Sequence, residues 1–350
     1  MEQIQEESLK FLESPLCPLA ADVISDGESI YFYLYDMDYE KERLIARSAC
    51  WVKNLVKAPK SFDKVKIEDN RQPVLPELFL SDDANREPMN PDDLEIFWSK
   101  EGHIAFLEYK GELVSVIPSW ADGHNFPGYS RYVKENNMVA WKLEDAMDAM
   151  KSRAEEGKAF WSQEFNIVWK EYNTPYFQQL NELFGKATNC YDLHKDRFPS
   201  RLLLTFQKEN RIYAFTIGTG MFSMPNTDRY FDEYESMART EFAISFDADA
   251  FPQEEQMNLF SSIAGVCDIP WKSMDCIAKG HTLDMRFGNC DRCIIVDDDD
   301  MRNPLPLQLK HKGVHLSWIV PLTPEEENGY KDQEQRDGIY QDIAKRYQNQ

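Results

Sequence analysis

The sequence predicts an α+β protein with mixed and antiparallel sheets, flanking helices and two modules. Three observations carry this. Short segments alternate apolar and polar residues on either side of tight turns, which is the strand period. Longer segments carry apolar residues at helical spacing. The chain has 350 residues, 42% of them hydrophobic, enough for two cores. The modules are expected at residues 1–145 and 150–347, with the boundary near the long helical pattern that begins at about Leu143.

Residues 1–14 read as a short amphipathic helix, with Ile4, Leu9, Phe11 and Leu12 set among Glu and Gln. Ser29–Tyr35 is aromatic and β-branched and predicts a strand, and Leu44–Val56 predicts another. Residues 57–95 carry five prolines and read as an irregular connection. Ile104–Tyr109 and Glu112–Ile117 alternate around Lys110-Gly111, a hairpin signal. Residues 119–132 suit an ordered loop. From Leu143 the pattern turns helical, with an interruption expected at Glu155–Lys158. A further run is expected to end at Thr174-Pro175, and Gly185 caps the helix after it.

The second half continues in the same style. Arg201–Gln207 and Arg211–Ile217 flank a turn, and Thr240–Phe246 is a strand. Pro252–Ala264 is a helix, and Thr282–Phe287 and Cys293–Val296 are short strands. Val314–Leu322 is a strongly apolar strand. Thr323-Pro324-Glu325-Glu326 has the order of a capping box, so a final helix starts there.

Charge narrows the function. Asp and Glu total 61 against 39 Lys and Arg, a formal net charge of −22, and both halves are acidic. Such a surface repels phosphates and anionic lipid headgroups and speeds encounter with basic proteins. Nucleic acid and membrane are therefore not expected partners. No apolar run is long enough to span a bilayer. The acidic N-terminus does not resemble a secretory signal. Seven irregularly spaced cysteines do not suggest a disulfide framework, and a reducing cytoplasm is expected.

No motif specifies an active site. Cys290-Asp-Arg-Cys293 is a single CxxC, and a structural zinc site needs two further ligands; Cys276 and His281 leave that alternative open. Gly218-Thr-Gly220 follows a strand, as a phosphate loop would, but no third glycine stands at the dinucleotide spacing and no Gly-Lys-Ser/Thr follows. A turn that needs glycine is the simpler reading. Asp297, Asp298, Asp299 and Asp300 lack the spacing of a calcium loop. Adjacent carboxylates repel and are expected to stay solvated, and this acidic loop is the candidate partner-binding site. His103, His124, His194, His281, His311 and His315 form no metalloprotease motif, and the serines form no nucleophile elbow. No cofactor is expected, nor a small-molecule ligand.

Five blocks in the second half resemble the suppressor-of-fused family in order along the chain. They are Arg197-Phe-Pro-Ser-Arg-Leu202, Ile217-Gly-Thr-Gly-Met-Phe-Ser-Met-Pro225, Arg239-Thr-Glu-Phe-Ala-Ile244, Gly280-His-Thr-Leu283 and His315 to Glu326. The resemblance covers roughly residues 155–347. Phe126–Arg131 and Asn137–Trp141 look more loosely like parts of longer bacterial members. The resemblance implies an α+β domain used for protein binding. Animal relatives sequester a zinc-finger transcription factor in Hedgehog signalling, and bacterial relatives are often proposed to neutralise toxins. The chain lacks the disordered insert expected of the animal form. With the acidity, the resemblance implies a non-catalytic, immunity-type inhibitor of a basic toxin domain. The alternatives are a two-module adaptor and a metal-dependent enzyme using Cys276, His281, Cys290 and Cys293.

Overall fold

Four strands open the chain as an antiparallel meander: β1 (Glu7–Glu13), β2 (Leu19–Ser25), β3 (Ser29–Asp38) and β4 (Arg43–Asn54), hydrogen-bonded in that order. The computed structural model describes residues 6–82, 84, 87–121, 125–195 and 198–347. Asp26 closes the β2–β3 turn by accepting from the backbone N–H of Glu28 and Ser29. The helix expected over residues 1–14 is a strand where it is described, and residues 1–5 lie outside the described residues. Leu9 and Phe11 fit a two-residue period as well as a helical one. The deciding partner is β2, whose buried residues lie a dozen positions further on.

A short helix, α1 (Lys64–Glu68), capped by Asp63, interrupts the irregular stretch that follows. Five strands then form a second sheet in chain order: β5 (Leu94–Trp98), β6 (Ile104–Tyr109), β7 (Glu112–Pro118), β8 (Tyr129–Ser130) and β9 (Trp141–Lys142). The expected hairpin is present. Lys110 and Gly111 have φ of 53° and 79°, the twist that a two-residue turn needs to follow the strands.

Helix α2 (Met147–Trp161) packs on this sheet. Met150, Ala154 and Gly157 make its buried face, at spacings of four and three. Met150 and Ala154 join Phe97, Ile104 and Phe106 in one core. Burying a methionine of that kind stabilises by about 1.5–3 kcal/mol. Contrary to expectation, α2 runs unbroken through Glu155–Lys158. Those polar residues lie on a helix whose Lys158 reaches Glu108 and stands 4.4 Å over the Phe97 ring. The break falls at Ser162–Glu164 instead. The chain divides into two compact units, Met1–Gln163 and Glu164–Gln350, so α2 belongs to the first.

The second unit begins with α3 (Phe165–Phe184), which passes through Pro175 without ending. Proline removes one ladder hydrogen bond, but Tyr176 and Leu180 on the next turn are buried in the unit's core and hold the helix together. Gly185 follows at φ 84°. Seven strands form one sheet: β10 (Asn189–Asp192), β11 (Leu202–Lys208), β12 (Arg211–Ile217), β13 (Thr240–Asp247), β14 (Thr282–Leu283), β15 (Arg292–Asp297) and β16 (His315–Leu322). Their order is β10-β11-β12-β13-β16-β15-β14, and only the β13–β16 pair is parallel. The α+β class is as the sequence predicts.

A one-turn helix, α4 (Tyr234–Met237), precedes β13. Helix α5 (Gln253–Ser273) is longer than expected and includes Pro270, which is buried with Cys267 and Trp271 on its inner face. The strand expected over Thr282–Phe287 shrinks to two residues and one isolated bridge, Phe287–Cys290, which closes a turn with Gly288 at φ 60°. Helix α6 (Pro324–Tyr330) starts with the complete capping box. Thr323 accepts from the Glu326 N–H, and Glu326 accepts from the Thr323 N–H. Helix α7 (Arg336–Arg346) closes the unit by burying Tyr340, Ile343 and Ala344.

Candidate functional site

The Gly218–Gly220 turn follows β12 with Gly218 at φ 104°, a conformation open to glycine. A Cβ at Gly218 would run into the Trp169 ring and the Ser200 carbonyl, and one at Gly220 into Val314 and the Tyr172 hydroxyl. The turn does hold a negative charge, but its own. Glu241 on β13 is fully buried. Its Oε1 accepts from the Gly218 and Gly220 N–H groups at 2.7 and 3.0 Å and from the Tyr172 hydroxyl at 2.7 Å. Its Oε2 accepts from Thr216 at 2.6 Å. Burial pushes the Glu241 carboxyl above its ordinary range, against four hydrogen bonds that pull it down. The donors that a phosphate would need are thus already used.

Arg201 makes a second buried cluster. It donates to the Cys267 carbonyl at 2.6 Å and to Asp268, and lies 4.5 Å over the Trp271 ring. His194 lies 2.9 Å from the same Asp268 oxygen and 2.6 Å from the Pro199 carbonyl. Burial acts to raise the Asp268 carboxyl, but His194, Arg201 and Lys272 outweigh it and bring it down to about 2. This is an anchor between β11's start and α5.

The acidic run is not uniformly solvated, as its charge suggested it would be. Asp298 is fully buried: it accepts from Trp318 Nε1 at 2.7 Å and the Leu305 N–H at 2.6 Å, and pairs with Lys310. Burial works against the Lys310 ammonium, but Asp298 and Asp299 outweigh it and raise its pKa. Asp297 accepts from His315 at 2.6 Å, and Asp300 from Tyr340 at 2.7 Å and Lys279 at 3.0 Å. Asp299 is the one with a mostly exposed side chain, at 62%. Carboxylates that would repel in water are each held by donors here, with Lys310 shared between Asp298 and Asp299.

The four candidate metal ligands are not brought together. Among the described residues no group of three or more His, Cys, Asp or Glu is placed to hold a metal ion. Cys293 is buried, with its thiol 3.3 Å from the Met285 carbonyl. Burial pushes the Cys276 and Cys293 thiols up to about 11 and about 12, away from the thiolate that a ligand or nucleophile needs. Both cysteines of the CxxC are free thiols. His124 and Arg197 lie outside the described residues.

Residues 202–349 match the family model described as Suppressor of fused protein (SUFU). The second unit carries a suppressor-of-fused domain. The match begins at β11, later than the 155 expected, and does not reach the first unit. No curated protein and no solved structure matches the chain. The geometry explains what the family-like blocks do. The glycine turn of one block holds the Glu241 carboxylate of another. Gly280 accepts from Tyr330 of α6, and His315 and Trp318 of the last block bind the acidic run. Sequence reasoning missed Glu241 because its partners lie 21 to 69 residues away. A suppressor-of-fused domain supports a protein-binding, non-catalytic role. Among the described residues no helix is long and apolar enough to cross a membrane.

Proposed function

We propose that this chain is a cytoplasmic, non-catalytic binding protein of the bacterial immunity type, which sequesters a basic toxin domain. The match of residues 202–349 to the suppressor-of-fused model carries the reading. Two further facts support it. The groups that resemble site motifs are consumed inside the fold: the Gly218 and Gly220 N–H groups by Glu241, and Cys293 by burial. The chain also carries a net charge of −22. Proteins that act on nucleic acid need basic surfaces to hold phosphates, and an acidic inhibitor complements them.

The acidic run Asp297–Asp300 remains the candidate contact, and within it the weight falls on Asp299. Its side chain is 62% exposed although it shares Lys310 with Asp298, whereas its three neighbours are turned inward to His315, Lys310, Trp318 and Tyr340. The test is capture of the protein encoded by the adjacent gene, followed by association kinetics at rising salt. The expected result is capture at low salt, with an association rate that falls at least tenfold between 0.05 and 0.5 M salt and a dissociation rate that changes little. No capture at low salt removes the reading.

A further inference from the structure

The first unit, outside the matched segment, carries an open strand edge set in a cleft. β4 is the last strand of its sheet. Which of its backbone groups point outward follows from two hydrogen bonds. Met37 of β3 donates to Pro18, on the β2 side. Trp51 of β4 donates to Val139, away from β3. Antiparallel neighbours alternate between inward and outward pairs. The odd-numbered residues of β3 therefore bond toward β2, and their partners on β4 face outward. Those partners are Trp51, Ala49, Ala46 and Leu44. Trp51 is taken by Val139. Among the described residues, nothing hydrogen-bonds to the outward groups of Ala49, Ala46 or Leu44.

The Ala46–Ala49 part of this edge lines a cleft of about 920 Å³, whose lining also includes the Val139 that pairs with Trp51. The cleft walls include Tyr33, Asn70, Arg71, Asn136, Met138 and Trp141. Among the described residues, the charged side chains lining it are Arg47 and Arg71, in a chain with 61 acidic residues. Arg47 is held by Asp36 and the Ser119 carbonyl; Arg71 pairs with Asp69 at 2.9 Å, but both side chains of that pair are half exposed, and an exposed pair of this kind is weak enough to be exchanged for another carboxylate. A bulge at Arg47 breaks the regularity of the edge. A rigid sheet edge of a second copy cannot follow that bulge, which is how edge strands avoid self-pairing. A flexible chain can.

We infer that the Leu44–Ala49 edge binds an extended, acidic peptide segment of another protein as an added strand, with Arg71 meeting its carboxylates. Main-chain hydrogen bonds give such a site its affinity, and the pockets beside it give selectivity. The site belongs to the first unit and stands independently of the function proposed for the suppressor-of-fused domain.

The probes are two fluorescein-labelled heptapeptides, one alternating valine with glutamate and one valine with lysine, added to the full chain. The glutamate peptide is expected to bind at least tenfold more tightly, to slow amide exchange at Ala46 and Ala49, and to lose most of that preference in Arg71→Ala. Ala49→Pro removes an outward N–H on an edge strand, a position at which proline is tolerated. It should keep the melting temperature within a few degrees and weaken the glutamate peptide at least tenfold. Exchange at Ala49 in the wild-type chain decides the matter if that variant fails to fold. Absence of binding, equal binding of both peptides, or binding without protection at Ala49 overturns the inference. So does a dimer in sedimentation that the glutamate peptide does not dissociate.

Discussion

His315 sits between two acceptors, Asp297 Oδ2 at 2.6 Å from Nδ1 and the Ser236 carbonyl at 2.8 Å from Nε2. Only the protonated ring donates to both. The Asp297 hydrogen bond raises its pKa above the ordinary 6.5, against burial. Burial acts to raise Asp297, and the imidazolium outweighs it and lowers it below 3.8. The signs follow. A histidine raised on folding stabilises fully below 6.5 and loses that contribution as pH climbs through its raised value. A carboxylate lowered on folding stabilises above 3.8 and loses its share as pH falls through its lowered value. The stabilisation from the pair is therefore largest between about pH 4 and 6.5. Replacing His315→Gln should cost about 1–2 kcal/mol there, and progressively less above neutrality. Urea unfolding of both proteins from pH 4 to 9 checks this. A difference that grows with pH would show that the ring is neutral in the fold.

At the scale of elements, two helical glycines give opposite expectations. Gly157 of α2 lies against the Trp98 carbonyl, which a Cβ would meet at once. Gly265 of α5 is exposed, and nothing stands within 4 Å of its would-be Cβ. Gly265→Ala should stabilise by about 0.5–1 kcal/mol, the helix-propensity gain. Gly157→Ala should destabilise by about 1–3 kcal/mol despite the same gain, because α2 must lift off β5. Thermal unfolding of the two variants separates these outcomes; equal shifts would mean that α2 is not seated on Trp98. Elements of this kind were legible where their signals are local. The Lys110-Gly111 turn and the Thr323–Glu326 cap each lie within four residues, and both are present. The signal failed where the deciding partner is distant. β1 is a strand because of β2, and α3 survives Pro175 because Tyr176 and Leu180 are buried. The acidic run departs from expectation because Lys310, Trp318 and Tyr340, which bind its carboxylates, come 11 to 40 residues later.

For the whole molecule, the question is where one folding unit ends. Each unit has its own core: Phe97, Ile104, Phe106, Met150 and Ala154 in the first, and the sheet packed by α3 and α7 in the second. The helical pattern after Leu143 reads as a new module when only sequence is considered. In the fold its apolar face closes the five-stranded sheet. A chain ending at residue 145 would leave Phe97 and Phe106 without Met150 and Ala154, forfeiting of order 3 kcal/mol of apolar burial. That is a large part of the roughly 5–15 kcal/mol a domain typically has. Residues 1–163 alone are therefore expected to unfold cooperatively in urea, and residues 164–350 likewise. Residues 1–145 should unfold at a clearly lower urea concentration and bind a hydrophobic dye. Equal midpoints for 1–145 and 1–163 would show that α2 adds nothing to the first unit. They would place the boundary before the helix rather than after it.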